Sequence, residues 1–204
     1  TIKAALESKY LDDVVVTTDD KEIAAISERH GARAPFLRPK TLARDSSTSE
    51  AALLHAFKWL ETNDKKSFDV FVLLQPTSPL RISKHINEAV EVFLGSSANT
   101  LYSVVEVKHT PFKMKAMNRH GFLIDISSEY KAIKRRQDYP KLYHPNGAIY
   151  ISKSEVFVQC KGFDESRLIP YVMDDISSID IDSESDFILA ETILRNPALL
   201  KNRS

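Results

Sequence analysis

Apolar positions along the chain follow two rhythms. Val14–Val16 and Val70–Leu74 are short continuous apolar runs, the pattern of strands buried on both faces. Thr100–Val107, Ala148–Ile151 and Ser178–Ile181 read as further strands, and Phe36–Leu37 as a short one stopped by Pro39. Between these runs the spacing widens to the helical period. Residues 1–9 read as the tail of a helix. Lys21–His30 is a helix that Asp19 or Asp20 can cap and Gly31 can end. Ser49–Leu60 carries the stripe Ala52, Leu53, Ala56, Phe57 and Leu60. Ser83 can cap a helix to about Leu94, with Ile86, Ala89, Val90 and Phe93 inward. Ser183–Leu194 closes the chain with Phe187, Ile188, Ala190 and Leu194 as its apolar positions.

Strands alternating with helices predict an α/β protein: a mostly parallel open sheet with helices on both faces. The alternation breaks between Lys108 and His144. That stretch holds Pro111, Gly121, Pro140, the run Gly121–Ile126 and the basic cluster Lys131, Lys134, Arg135 and Arg136. It reads as an insertion, which divides the chain into a main unit, 1–107 with 144–204, and a small inserted one, 108–143.

Composition narrows the function. Twenty-eight basic residues balance 28 acidic ones, so the basic surplus of a nucleic-acid binder is missing. No apolar run approaches the length of a membrane-spanning helix. The single cysteine, Cys160, excludes an internal disulfide framework and a multi-cysteine zinc site, and fits a reducing, cytoplasmic setting. The five glycines, at 31, 95, 121, 147 and 162, never fall at the spacing of a dinucleotide fingerprint or a phosphate loop. No serine sits between glycines as a nucleophile elbow, and the six histidines show no metal-binding spacing.

In open parallel sheets ligands bind beyond the carboxyl ends of the strands. The polar runs there are Thr17–Asp20, Gln75–Arg81, His144–Gly147 and Ser178–Asp182, and the loop Arg38–Ser49 leads into a helix N-terminus suited to an anion. Asp180 and Asp182 are the sharpest pair. Two residues apart on a strand, they would share a face and repel each other unless a cation lies between them, and magnesium accepts such ligands. The alternative is that Asp182 or Ser183 caps the last helix while Asp180 faces water. Gln75–Pro79 could read a sugar or an α-keto acid, or be an ordinary proline-rich turn. The basic cluster could meet a carboxylate or phosphate, or be a solvated face. Tyr143 and Tyr150 read as core or rim aromatics, Trp59 and Cys160 as packing residues.

Taken together, five runs resemble the acylneuraminate cytidylyltransferases: V-V-V-T-T-D-D (14–20), L-R-P-K-T-L-A-R-D (37–45), L-L-Q-P-T-S-P-L-R (73–81), P-N-G-A-I-Y-I (145–151) and S-I-D-I-D (178–182). Their order and spacing follow the family over nearly the whole chain. The resemblance implies a nucleotide-diphospho-sugar transferase-like fold, with 108–143 as a dimerisation subdomain of a homodimer. It implies magnesium on Asp180 and Asp182, and Arg38 and Ser49 at the cytidine and ribose end of CTP. Gln75, Thr77 and Ser78 would face a sugar acid, with Tyr150 near it. Lys113 and Arg136 would meet the acid's carboxylate or side arm, from the neighbouring subunit. The implied reaction is transfer of CMP from CTP to a nine-carbon α-keto sugar acid, N-acetylneuraminic acid or a close relative. Legionaminic, pseudaminic and 3-deoxy-octulosonic acids are alternative substrates, and a non-catalytic nucleotide-binding scaffold is an alternative of another class.

Two departures from the family pattern bear on this. A family loop of the type L-A-R-x-x-S-K-x-x-x-x-K-N, which grips triphosphate and base, is expected upstream of Thr1, and residues 1–204 could be inactive without it. The family often has arginine directly before P-N-G, where this chain has His144, shorter and mostly neutral at pH 7.

Overall fold

A computed structural model describes residues 1–44, 46–108, 111–126, 135 and 139–196. Its strands are β1 (Val70–Leu73), β2 (Thr100–Glu106), β3 (Lys115–Met117), β4 (Leu123–Asp125), β5 (Tyr143–Lys153) and β6 (Leu168–Val172). Its α-helices are α1 (Ile2–Leu6), α2 (Lys21–Arg29), α3 (Ser49–Trp59), α4 (Ser83–Leu94), α5 (Ser154–Cys160) and α6 (Glu184–Arg195). The main sheet has the order β1-β5-β2-β6. β5 pairs antiparallel with β1 and β2, and β2 pairs parallel with β6. Three of the four strands therefore point one way, and β5 runs against them.

Side-chain alternation explains the two layers. Val70 and Val72, Leu101, Ile149 and Ile151, and Ile169 and Tyr171 face the cluster built on Ile86, Ala89, Val90 and Phe93 of α4, which also holds Ala4 of α1. The residues between them point to the other face. There Phe71, Phe57 of α3, Phe157 of α5, Phe163, Tyr102 and Tyr150 form a chain of edge-on and tilted rings with centroids 4.8–6.0 Å apart. The expected helices on both faces are present.

The N-terminal part is a minimal β–α–β turn. Val15 bridges Arg33 and Thr18 bridges Leu37, both in parallel sense, around α2. Asp20 is the cap of α2, accepting from the Glu22 and Ile23 N–H groups at 2.7 and 3.0 Å, and Gly31 leaves the helix at φ +90°. Val14–Val16 are half-buried and make isolated bridges instead of a full strand ladder. Arg33 ties this unit to Asp13 and to Asp64, just past α3.

Apart from Val14–Val16, Phe36–Leu37 and the hairpin strands of 108–143, two strand assignments differ from expectation. Leu168–Val172, not read as a strand, is β6. Ser178–Ile181, read as one, follows a turn in which Asp174 accepts from the Ile176 and Ser177 N–H groups at 2.9 Å each. Only one sheet-like bond remains there, from the Ile181 N–H to the Thr77 carbonyl at 2.9 Å. The helix expected to be capped by Ser83 is instead entered through Ile82, whose N–H donates to Nδ1 of His85 at 3.3 Å.

Within 108–143, among the described residues, β3 and β4 pair only with each other, as a separate antiparallel hairpin. The basic residues Lys131, Lys134 and Arg136 lie outside the described residues.

Candidate active site

The site is organised by a break in β5. Tyr102 pairs with Tyr150, but two residues further along β2 Val104 pairs with Pro145, so two steps on one strand answer five on the other. The surplus, Asn146–Ala148, bulges out of the ladder. Asn146 holds the bulge. Its Oδ1 accepts from Ser103 Oγ at 2.5 Å and from the Ala148 N–H at 3.2 Å. Its Nδ2 donates to Ser178 Oγ at 2.8 Å and faces Met173 Sδ at 3.4 Å. Ser103 Oγ in turn accepts from the Ile149 N–H at 2.7 Å. These buried polar atoms are satisfied by one another, the condition under which such a network stiffens a structure.

Gly147, at φ +75°, is the crest of the bulge. A Cβ there would lie 2.7 Å from Gln75 Oε1 and 3.4 Å from Asp180 Oδ2, so glycine is required both by the backbone angle and by the two side chains lying against it. Ser78 is fully buried and its Oγ donates to Asp180 Oδ1 at 3.5 Å. With the Thr77 carbonyl bonded to Ile181, the turn after β1 and the segment before α6 are joined side by side. The structure thus brings together Gln75, Thr77 and Ser78 from one turn and Asp180 from a distant part of the chain, against Gly147 from a third.

Tyr150 stands beside them, half-buried, in edge contact with Tyr102 at 4.8 Å. Burial first, then the charges of Asp180 and Glu50, raise its phenol above the ordinary tyrosine range, so it is a hydrogen-bond donor at neutral pH. Tyr102 is raised in the same direction by burial and by its bond to Glu165 Oε1, 3.1 Å away. An apolar groove of about 250 Å³, lined by Tyr102, Val104, Tyr143, Pro145 and Pro170, lies on this sheet face.

Asp182 is exposed, and it is not the cap of α6. Ser183 is the N-cap, as one of the two alternatives had it, and Asp186 closes a capping box with it: its Oδ2 accepts from the Ser183 N–H at 2.9 Å, from Ser183 Oγ at 2.6 Å and from the Asp182 N–H at 3.3 Å. The carboxylate of Asp182 is left out of the capping arrangement. Asp180 and Asp182 lie outside any strand ladder, on either side of the Ile181–Thr77 bond. Among the described residues no three His, Cys, Asp or Glu side chains gather as a metal-binding group. Two carboxylates suit magnesium when phosphate oxygens and water complete its octahedron.

The other expected residues lie elsewhere. Arg38 is partly buried, with Nη2 3.9 Å from Asp19 Oδ1 and with Nε buried and unpartnered; Thr17 Oγ1 is a second such atom. Ser49 is the exposed first residue of α3, whose cap is Thr48. No hydrogen bond or ion pair among the described residues joins Ser49 to Arg38. Lys113 is exposed at the end of a 3₁₀ turn, Pro111–Lys113, with Nζ 5.3 Å from the Tyr139 ring centroid. Among the described residues none of its contacts reaches Gln75 or Asp180. Arg136 is outside the described residues.

Asn146 was not singled out from the sequence, although it sits in a quoted run. The available signal was Gly147, an isolated glycine inside a strand pattern, which marks a bulge.

Comparison with known proteins fits this geometry. The chain is 37% identical over 201 residues to an N-acylneuraminate cytidylyltransferase of Escherichia coli, covering 95% of this chain but 44% of that protein, so it spans less than half of that relative's length. It is 32% identical over 198 residues to a CMP-N,N'-diacetyllegionaminic acid synthase of Legionella pneumophila, covering 95% of this chain and 83% of that one. In three dimensions it resembles a CMP:2-keto-3-deoxy-manno-octonic acid synthetase solved with CTP, at a TM-score of 0.66 and 13% identity over 95% of this chain and 85% of that one, a likeness of fold. The cytidylyltransferase family profile matches residues 1–201, and the chain belongs to that family.

Proposed function

We propose that residues 1–204 are the nucleotide- and acid-binding part of an enzyme that activates a nine-carbon α-keto sugar acid, N-acetylneuraminic acid or a close relative, with CTP. The observation that carries the reading is the meeting of Gln75, Ser78 and Asp180 at the crest of the β5 bulge. The C2 hydroxyl oxygen of the acid attacks the α-phosphorus of CTP. The bond to the bridging oxygen of the β-phosphate breaks, and pyrophosphate leaves with its electron pair as the hydroxyl proton is released. The protein's part is positioning and charge neutralisation. Gln75, Thr77 and Ser78 orient the acid, and Tyr150 supplies a donor to it. Arg38, with its unpartnered Nε, and Ser49, at a helix N-terminus, hold the nucleotide. Asp180 and Asp182 hold magnesium, which when bound neutralises phosphate charge and eases loss of the hydroxyl proton.

The 108–143 unit is the dimerisation surface in this reading. Met117, Phe122 and Leu123 are each 66–72% exposed, beside Met114, Ile124 and Ile126. So apolar a surface on two short strands suits a second copy of itself. Lys113 and Arg136 complete the neighbour's acid site. The exposed Cys160 suits a reducing cytoplasm. No helix among the described residues is long and apolar enough to cross a membrane.

The test is pyrophosphate release by the natural polypeptide carrying this sequence, with CTP and a panel of sugar acids. Release with CTP and little with UTP supports the reading. Equal rates with the two nucleotides overturn it, and CTP binding without turnover on any acid identifies a non-catalytic scaffold. The legionaminic-acid relative, covered over 83% of its length, keeps the diacetylated acid in the panel as the second candidate.

A further inference from the structure

Arg81 closes the Gln75–Arg81 turn and has no role in the reading above, yet it is one of the most buried charged residues described. It is 2% exposed, behind Leu80 at 1%. Nη1 donates to the Ala148 carbonyl at 2.6 Å and to the Gln75 carbonyl at 3.3 Å. Nη2 donates to Thr1 Oγ1 at 2.8 Å, and that hydroxyl donates to the same Gln75 carbonyl at 3.4 Å. Nε is buried without a partner. Among the described residues no carboxylate pairs with the guanidinium.

We infer that Arg81 is a positioning residue for the acid-binding turn: it ties the Gln75 carbonyl on one side to the Ala148 carbonyl on the other, and so holds the Gln75 side chain across Gly147 beside Asp180. The inference rests on the proposed function for its substrate, but the clamp itself is a matter of geometry. Gln75 lies two residues past the end of β1, and Ala148 is the last residue of the β5 bulge. One nitrogen, Nη1, reaches both carbonyls, and Nη2, held by Thr1 Oγ1, fixes the plane of the guanidinium and so the direction of that bridge. Lysine keeps the charge but not the fork. Burial lowers the proton affinity of Arg81 to about 10, which still leaves it charged at neutral pH. A buried cation without a counter-ion is a poor source of stability, and an apolar side chain of similar volume commonly folds as well or better. What arginine supplies here is the register of two strand ends, with positive charge behind a site for an anionic acid.

Two variants of the natural polypeptide test this, with hydrogen exchange as a readout that needs no activity. In Arg81→Lys and Arg81→Met, the Michaelis constant for the sugar acid should rise at least about tenfold while that for CTP stays within about twofold. Amide exchange should quicken in 73–82 and 144–150 and stay unchanged in α3 and α6. Arg81→Met should melt within a few degrees of the parent. If instead the Michaelis constants for acid and CTP worsen together and the melting temperature falls, Arg81 is merely structural and the inference is wrong. Unchanged constants and unchanged exchange overturn it as well. If the parent turns over no acid at all, the proposed function has failed, and exchange alone decides: local quickening in both segments retains the clamp, and its absence removes it.

Discussion

At the β5 bulge, one side chain, Asn146, meets Ser103, Ala148, Met173 and Ser178, and it is buried. Along the β3–β4 hairpin, Phe122 and Leu123 stand 69% and 66% exposed, and among the described residues the strands pair with nothing but each other. The first region spends polar groups on fixing geometry and satisfies them internally. The second leaves apolar groups in water, which only a partner surface would bury. The difference assigns the two regions different tasks. Under the proposed function, the first would hold the acid and nucleotide site in place within one chain, and the second would meet another copy.

The largest expected effect is chemical. Asp180→Asn keeps the shape of the side chain and an acceptor for Ser78 Oγ, but an amide is a far weaker magnesium ligand. Turnover of the natural polypeptide should fall by about 100-fold or more, with melting temperature nearly unchanged. Near-normal activity at limiting magnesium would remove Asp180 from the metal site.

Asn146→Ala strikes the same region through its scaffold. It strands the buried Ala148 N–H and takes one of two partners from Ser103 Oγ, which keeps the Ile149 N–H, and from Ser178 Oγ, which keeps the Asp174 carbonyl. At roughly 1–3 kcal/mol for a buried group left unpaired, with some relaxation, the loss should be about 2–4 kcal/mol. Thermal melting should show it as a fall of roughly 5–15 °C. The hairpin should behave in the opposite way. Phe122→Ser with Leu123→Ser should change the stability of the isolated chain by no more than about 0.5 kcal/mol. It should weaken self-association about tenfold or more in sedimentation equilibrium. If the hairpin pair destabilised the single chain as much as Asn146→Ala does, the contrast between the two regions would collapse.

The same contrast explains how much the sequence disclosed. Helix and strand alternation was legible because period and caps are local, as Asp20 before α2 shows. β6 was missed because Pro170 sits in its middle, and proline argues against a strand. The structure tolerates it because β6 lies at the sheet edge, with β2 as its one neighbour. Ser178–Ile181 has the alternation of a strand, but the Asp174 side chain captures the Ile176 and Ser177 N–H groups and turns the chain instead. In the site, Gln75, Ser78 and Asp180 were legible because they follow strand ends or carry charge in pairs. Asn146 and Arg81 were not, since a register shift between β2 and β5 and a bond across 67 positions are long-range facts that no local pattern encodes.

The smallest expected effect sharpens the boundary between scaffold and site. Tyr102 bonds Glu165 and packs on Tyr150 without belonging to the Gln75–Arg81 turn proposed to hold the acid. Tyr102→Phe keeps the ring and removes the hydroxyl, so it should cost about 0.5–1.5 kcal/mol at neutral pH and leave nucleotide choice untouched. Its pH dependence has a defined sign. Burial and Glu165 raise the phenol above its ordinary value of 10.0 in the folded chain. In that case the folded state holds the proton longer than the unfolded one. The stability it contributes is therefore fully present below pH 10 and is lost as pH rises through the folded value. Comparing parent and Tyr102→Phe by denaturant melting isolates this residue from other alkaline groups, the lowered Arg81 among them. The gap between the two should be constant up to about pH 9 and shrink above 10. A gap that stayed constant above pH 10 would mean that the phenol titrates alike in the folded and unfolded chains, and a gap that widened would mean that folding lowers its value; either outcome removes the part assigned to burial and Glu165.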